Sequence, residues 1–346
     1  MKIQEQQCKK CALCGSEDIH LKTSEQKSFQ EPDLFCIYHC ANCGTAFSSP
    51  MTDSTPIYNL IYKQPDGVGG YARYYSYYRE ISSQEKPLEW LADKEIPYWG
   101  PYYAVKEILK LPKTAKILEV GSGLGYFTYA FKKAGFINIS GVDISQEAVD
   151  KANRKFGQNY FYADIINYAE NNKNTYDAII LTEVIEHIKA PTLFLKALSD
   201  LLREKGSIIL TTPNKSFFPS SAVWNTDNPP VHYWWFGENS IEYLGKILSL
   251  SVSFIDFTSY YKTHYPGLFN RSNWEKVGGS FVFDKNGELL EESTEQKPAK
   301  GIFPSAFKKT KLYKSLSTFI YPRISKNIII SGKRSDVLCA ILTKNK

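Results

Sequence analysis

The sequence predicts an α/β protein: an open, mostly parallel sheet with a small cysteine-rich module in front of it and an insertion near its end. Three observations support this. An apolar strand, Ile117 to Val120, runs into the turn Gly121-Ser122-Gly123-Leu124-Gly125, with glycine at alternate positions. Short apolar runs then recur with helix-like segments between them, which is the pattern of βα units. Two C-x-x-C-G knuckles lie within the first 44 residues.

The glycine turn comes first because the other elements are read around it. Glycine admits backbone angles closed to other residues and lets the main chain approach a ligand without a Cβ in the way. Tyr126 stands where a G-x-G-x-x-G motif would place its last glycine, so the turn is not a clean dinucleotide fingerprint. A second strand, Asn138 to Val142, ends at Asp143, 22 residues past Gly121. A carboxylate there is placed to accept hydrogen bonds from both ribose hydroxyls. A third short strand ends at Ala163-Asp164, where Asp164 can accept from an adenine amino group. A fourth, Tyr176 to Leu181, is almost wholly apolar and runs into Thr182-Glu183-Val184-Ile185-Glu186-His187.

Through EVGSGLG, GVDIS, YADI and YDAIILTEVIEHI the chain resembles the class I S-adenosylmethionine-dependent methyltransferases over roughly residues 101 to 260. The resemblance implies a Rossmann-like sheet of seven strands, and S-adenosylmethionine as cofactor. It carries Glu119, Gly121, Gly123 and Gly125 over to the methionine end, Asp143 to the ribose and Asp164 to the adenine. Ser122, Tyr126, Phe127, Ile144, Ile165, Thr182 and Glu183 complete the expected cofactor-binding set.

The remaining elements follow in order. Residues 1–49 are expected to form a zinc ribbon. Cys11-Ala-Leu-Cys14-Gly15 and Cys40-Ala-Asn-Cys43-Gly44 stand 25 residues apart, and each pair places two thiolates on one tetrahedral metal. Cys8 competes by spacing, but only Cys14 and Cys43 are followed by glycine, which favours the four named and leaves Cys8 and Cys36 spare. A disulfide pair is the alternative. The N-terminus lacks the apolar core of a signal peptide, and no run approaches the roughly 18 apolar residues of a membrane span. A cytoplasmic protein with metal-bound thiols is therefore the expectation, and a site closed by four thiolates is structural.

Residues 50–100 are rich in tyrosine around Gly67, Gly69 and Gly70. They read as a strap that closes over cofactor or acceptor, or as packing between ribbon and core; Tyr71 and Arg73 are its site candidates. The methyltransferase core is expected over 101–261. Its helices lie at 101–111, 126–134, 145–156 and 193–202, strand five at 207–212, a helix at 240–250 and strand six at 251–257. The stretch Asn225 to Phe236, rich in turn formers and rings, follows strand five and is expected to wall the acceptor site.

Val337 to Thr343 reads as the final strand, within 335–346, which makes 262–334 an insertion. From Lys297 to Lys346 there are 12 Lys or Arg against the single acid Asp336, so this end bears +11 of a net +6 and the rest −5. Leu312, Leu316, Phe319 and Ile320 share a helical face flanked by lysines. Such a helix can lie on an anionic membrane as a peripheral contact, bind a polyanion, or serve as a solvated lid.

Methyl transfer from a sulfonium requires alignment of sulfur, methyl and acceptor, and an oxygen acceptor must also lose a proton. Attention therefore falls on Glu183, Glu186 and His187. On a helix after strand four they share one face at i, i+3 and i+4 and can hold Mg²⁺ or another divalent ion. The alternative has Glu183 in the cofactor pocket, Glu186 as a local cap and His187 as base or packed residue. The E-V-I-E-H run resembles the metal-binding run of quinone-pathway O-methyltransferases and of small-RNA 2′-O-methyltransferases. The RNA enzymes add a downstream histidine, for which His232 is the counterpart, so Glu186, His187 and His232 are the catalytic candidates.

The front module resembles that of bacterial enzymes acting on sugars, polysaccharide ends or natural products. O-methylation of such a small-molecule or glycan acceptor is the leading expectation, RNA 2′-O-methylation the second, and a non-catalytic, cofactor-sensing scaffold the third. The sequence specifies no oligomeric state.

Overall fold

The computed structural model describes residues 8–68, 70–217, 228–264, 281–290 and 335–345. The lysine-flanked helix expected near residue 312 lies outside them, as do Gly69 and most of the 262–334 insertion.

The cysteine-rich ribbon module contributes three strands before the core. Strands β1 (Ile19–Lys27), β2 (Leu34–Cys40) and β3 (Ala46–Ser49) run as an antiparallel meander. The tyrosine-rich stretch is helical: α1 (Thr55–Lys63), α2 (Ala72–Glu80), α3 (Pro87–Lys94) and α4 (Ile96–Tyr103) follow one another. The helix expected at 101–111 thus begins earlier, at Ile96, because Pro97 fits the first turn, where its missing N–H costs nothing. Tyr77 and Tyr98 of this stretch are buried and meet Tyr126 edge to face at about 6 Å, so these rings pack against the core.

The core then alternates: β4 (Ile117–Val120), α5 (Tyr126–Lys133), β5 (Ile139–Asp143), α6 (Gln146–Phe156), β6 (Tyr160–Tyr162), α7 (Ile165–Asn171), β7 (Tyr176–Thr182), α8 (Pro191–Leu201) and β8 (Leu202–Pro213). A two-residue strand β9 (Trp234–Trp235), α9 (Glu238–Ile247), β10 (Leu250–Phe254), α10 (Thr258–Thr263) and β11 (Val337–Lys344) complete it. The seven-stranded sheet has the order β10-β11-β8-β7-β4-β5-β6, parallel except for β11, which is antiparallel to both neighbours. All four residues of β4 are buried, as expected of a strand covered on both faces. The strand order reverses at β4, between β5 and β7, and the crevice outside the carboxyl ends of such strands is where ligands bind in open α/β sheets.

Two local features differ from the sequence reading. After β7 there is no α-helix: Glu183 adopts φ +55°, a single 3₁₀ turn covers Ile185–His187, and α8 starts only at Pro191. A left-handed residue ends a right-handed helical path, and the β-branched Val184 and Ile185 are poor helix formers. The second difference is β9, which leaves the core and joins the ribbon sheet, order β1-β2-β3-β9.

Candidate functional site

The four knuckle cysteines converge. Cys11 Sγ lies 3.7 Å from Cys43 Sγ, and Cys14 Sγ 3.5 Å from Cys40 Sγ. All four sulfurs fall within 4.8 Å of one another. Thiolates on one zinc at about 2.3 Å stand about 3.8 Å apart, so the quartet fits a tetrahedral metal. Gly15 and Gly44 take φ near +70° and return their N–H groups to the Cys11 and Cys40 carbonyls, the turn the knuckle requires. The Cys43 thiol lowers the pKa of Cys11 and has its own raised by the same contact. Cys8 and Cys36 are not part of this group.

At the carboxyl end of β4 the three glycines serve different purposes. A Cβ on Gly121 would fall 2.6 Å from Val184, and one on Gly125 2.6 Å from both Ala152 and the Tyr160 ring. These two let chain segments pack closely. Gly123, at φ +49°, has nothing within 4 Å of its Cβ position, and its N–H donates to Asp143 Oδ2 at 2.7 Å. Asp143 Oδ1 accepts from Ser145 N at 2.8 Å, so backbone donors fix the carboxylate beside the turn. Ser122 is buried; Ile144 is 69% exposed.

Asp164 caps α7, accepting from Ile166 N and Asn167 N at 3.0 Å each. Tyr126 shares a 2.6 Å hydrogen bond with Tyr98. Phe127 is a core ring, tilted against Tyr98 at 5.1 Å and edge to face with Phe131 at 5.0 Å, and the Ile165 side chain is also buried. Thr182 ends β7 and Glu183 follows it.

Glu119 lies beneath the turn, accepting a hydrogen bond from the Thr128 hydroxyl. Burial raises its carboxyl from 4.5 to about 8, with Thr128 pulling the other way. The folded chain therefore holds this proton more tightly than the unfolded chain does. Its stabilising contribution is full below pH 4.5 and is lost as pH rises through about 8. Urea titrations of the ligand-free protein should show stability falling across that window, with the slope reduced in Glu119→Gln; equal slopes in the two proteins would exclude this role.

The third cluster lies past β7. Glu186, His187 and His232 each offer a donor atom within 4.8 Å of the others, although His232 is 45 residues away in sequence. Glu186 is buried, and its Oε2 accepts from Thr212 Oγ1 at 2.9 Å. His187 Nδ1 lies 2.8 Å from the Val231 carbonyl, which can only accept, so Nδ1 bears the proton and the Nε2 lone pair is left for a ligand. Tyr58 Oη also reaches Nδ1, at 3.0 Å. Nε2 stands 3.7 Å from Glu186 Oε1, too far for a hydrogen bond. The two imidazoles meet edge on, with centroids 4.4 Å apart. His232 Nδ1 is buried without a hydrogen-bond partner among the described residues, and burial pushes the imidazole pKa down to about 3, keeping it neutral.

Glu183 does not join this cluster, which corrects the expected Glu183-Glu186-His187 metal set: with φ +55° it leaves the helical path. Two imidazoles and one carboxylate also suit a borderline divalent ion better than Mg²⁺, which prefers oxygen. Tyr58, Thr212 and the Val231 carbonyl escaped the sequence reading, because their role arises from contacts 129, 26 and 44 residues away.

A family model described as a methyltransferase domain matches residues 99–248. The chain is 30% identical over 115 residues to a mitochondrial ubiquinone biosynthesis O-methyltransferase of Dictyostelium discoideum, covering 29% of this chain and 36% of that protein. It is 27% identical over 107 residues to the Vibrio atlanticus enzyme of the same description, covering 30% and 45%. The aligned part thus spans less than half the length of these relatives. Among solved structures, a SAM-dependent methyltransferase from Archaeoglobus fulgidus aligns at TM-score 0.43 and 15% identity, covering 78% of this chain and 99% of that one.

Proposed function

We propose, from a chain whose residues 99–248 match a methyltransferase-domain family model, that it uses S-adenosylmethionine to transfer a methyl group to a hydroxyl of a small-molecule acceptor: a sugar, a polysaccharide end or a natural-product-type metabolite. The observation behind this reading is the Glu186-His187-His232 cluster at the carboxyl end of β7. A sulfonium donor is already activated, so the remaining demand is on the acceptor, which must be oriented and lose a proton. Glu186, His187 and His232 would hold a borderline divalent ion, whose Lewis acidity makes a bound hydroxyl easier to deprotonate.

The protein's own groups do the rest. Val231 and Tyr58 hold His187 so that Nε2 faces Glu186, and Thr212 fixes the Glu186 carboxylate. In the cofactor site, the backbone at Gly123 receives the donor, Asp143 the ribose and Asp164 the adenine edge, with Glu119 beneath the methionine end. The names of the curated relatives support oxygen as the acceptor atom.

RNA 2′-O-methylation is the second reading, favoured by the arrival of His232 beside Glu186 and His187. Methyl-labelled S-adenosylmethionine, incubated with the protein and fractionated metabolite, glycan and RNA pools with and without chelator, separates the two. Chelator-sensitive label in the metabolite or glycan fraction is expected. Label confined to RNA would replace the leading reading by the second, and cofactor binding without transfer to any pool would favour a scaffold.

A further inference from the structure

We infer that the cysteine-bound metal of the ribbon is the positioning device for the histidine centre. The Cys11, Cys14, Cys40 and Cys43 quartet holds in register the segment 228–236, which supplies His232 and the Val231 carbonyl. This rests on the reading of Glu186, His187 and His232 as the reactive centre.

The segment is bound to the ribbon on both sides of His232. At its start, Gln26 Nε2 donates to Asn228 Oδ1 at 3.0 Å, Asn228 Nδ2 donates to the Ser28 carbonyl at 3.3 Å, and Phe29 N donates to the Pro229 carbonyl at 3.2 Å. In the middle, Ser48 N donates to the Tyr233 carbonyl at 2.9 Å. At its end β9 is the fourth strand of the ribbon sheet, with Phe47 opposite Trp234 and Ala46 opposite Trp235. Phe47 stands four residues after Cys43, and Trp234 two residues after His232.

The same segment is fastened to the core at the reactive centre. Tyr233 N donates to the Glu186 carbonyl at 2.9 Å, Trp234 Nε1 to the Ile188 carbonyl at 2.8 Å, and His187 Nδ1 to the Val231 carbonyl. Tyr233 is thus bonded through its carbonyl to the ribbon and through its N–H to Glu186. Cys11, Cys40 and Cys43 are buried in one apolar cluster with Tyr38, Phe47, Tyr233, Trp234 and Phe236.

A module of roughly 50 residues builds too small a core to hold its fold without further support, and a structural metal contributes folding free energy outright. Without it the ribbon loses order and the segment loses its edge partner. His232 then leaves the centre, and His187 loses the acceptor that fixes its tautomer. The glycine turn and Asp143 depend on β4 and β5 and keep their geometry.

The test uses the full chain in three forms: wild type, Cys43→Ser, and Phe47→Ala, which leaves all four cysteines in place. Zinc content, S-adenosylmethionine affinity by calorimetry, amide hydrogen exchange over 228–236 and over 117–143, and Co²⁺ absorption of the zinc-loaded protein are measured on each. Cys43→Ser should lose zinc, exchange at least about tenfold faster over 228–236, and bind Co²⁺ at the histidine centre at least about tenfold more weakly, the scale of a lost outer-sphere support. Exchange over 117–143 and cofactor affinity should be unchanged.

Phe47→Ala should speed exchange over 228–236 in the same direction while keeping its zinc. Unchanged exchange over 228–236 in Cys43→Ser would overturn the inference, as would equal loss of protection over 117–143. If exchange changes as expected but wild type binds no Co²⁺ outside the cysteines, the coupling stands and the metal reading of the histidine centre falls.

Discussion

Replacing His187 with alanine lowers methyl transfer by about 10²- to 10⁴-fold, the usual contribution of a positioned proton-transfer or acceptor-activating group. Cofactor affinity stays within about twofold, because the interaction removed lies on the acceptor side. The ring has one nitrogen committed to the Val231 carbonyl and Tyr58, and the other facing Glu186 Oε1 at 3.7 Å. The loss should therefore fall on kcat, and divalent-ion affinity should drop together with it. His232→Ala removes the second imidazole and should behave alike, since its buried Nδ1 has no hydrogen-bond partner among the described residues to account for its burial. Steady-state kinetics beside calorimetry with S-adenosylmethionine decide the matter. Unchanged kcat in both variants would return the histidines to a packing role.

Gly125→Ala is expected to be the most damaging single change to folding. The residue sits at φ +79°, and its new Cβ would lie 2.6 Å from Ala152 Cβ and from the Tyr160 ring. Left-handed backbone costs an alanine about 1–2 kcal/mol, and forcing an extra methyl into a packed contact about 1–3 kcal/mol. The sum, about 2–5 kcal/mol, should lower the melting midpoint by roughly 5–15 °C. Gly123→Ala is the informative comparison. It meets no atom within 4 Å, so only the backbone strain acts on stability, and the loss should appear in cofactor affinity. Thermal melts and binding measured on both variants separate the packing glycine from the one facing the crevice. Equal melting points would refute the distinction.

Both predictions concern positions already conspicuous in the sequence, but the three glycines look alike there. Alternation marks the turn; it does not say that Gly121 accommodates Val184 and Gly125 the Tyr160 ring, since those partners come from other segments of the chain. The same limit applies to E-V-I-E-H. Helical spacing grouped Glu183 with Glu186 and His187, whereas one left-handed residue removed Glu183 and a turn from residues 228–236 supplied His232.

The sequence by itself determined the order of the βα units, the glycine turn with its downstream Asp143, the position of the last strand and the cysteine quartet. Each depends on short-range spacing: apolar periodicity, turn chemistry, and two ligands per knuckle. Only the tertiary structure decided which carboxylate joins the histidines, that Tyr58 and Val231 orient His187, and that β9 completes the ribbon sheet. Those outcomes depend on contacts between segments tens to hundreds of residues apart. Chain-closure cost varies only slowly with loop length, so spacing along the chain does not choose among distant partners, and packing complementarity does.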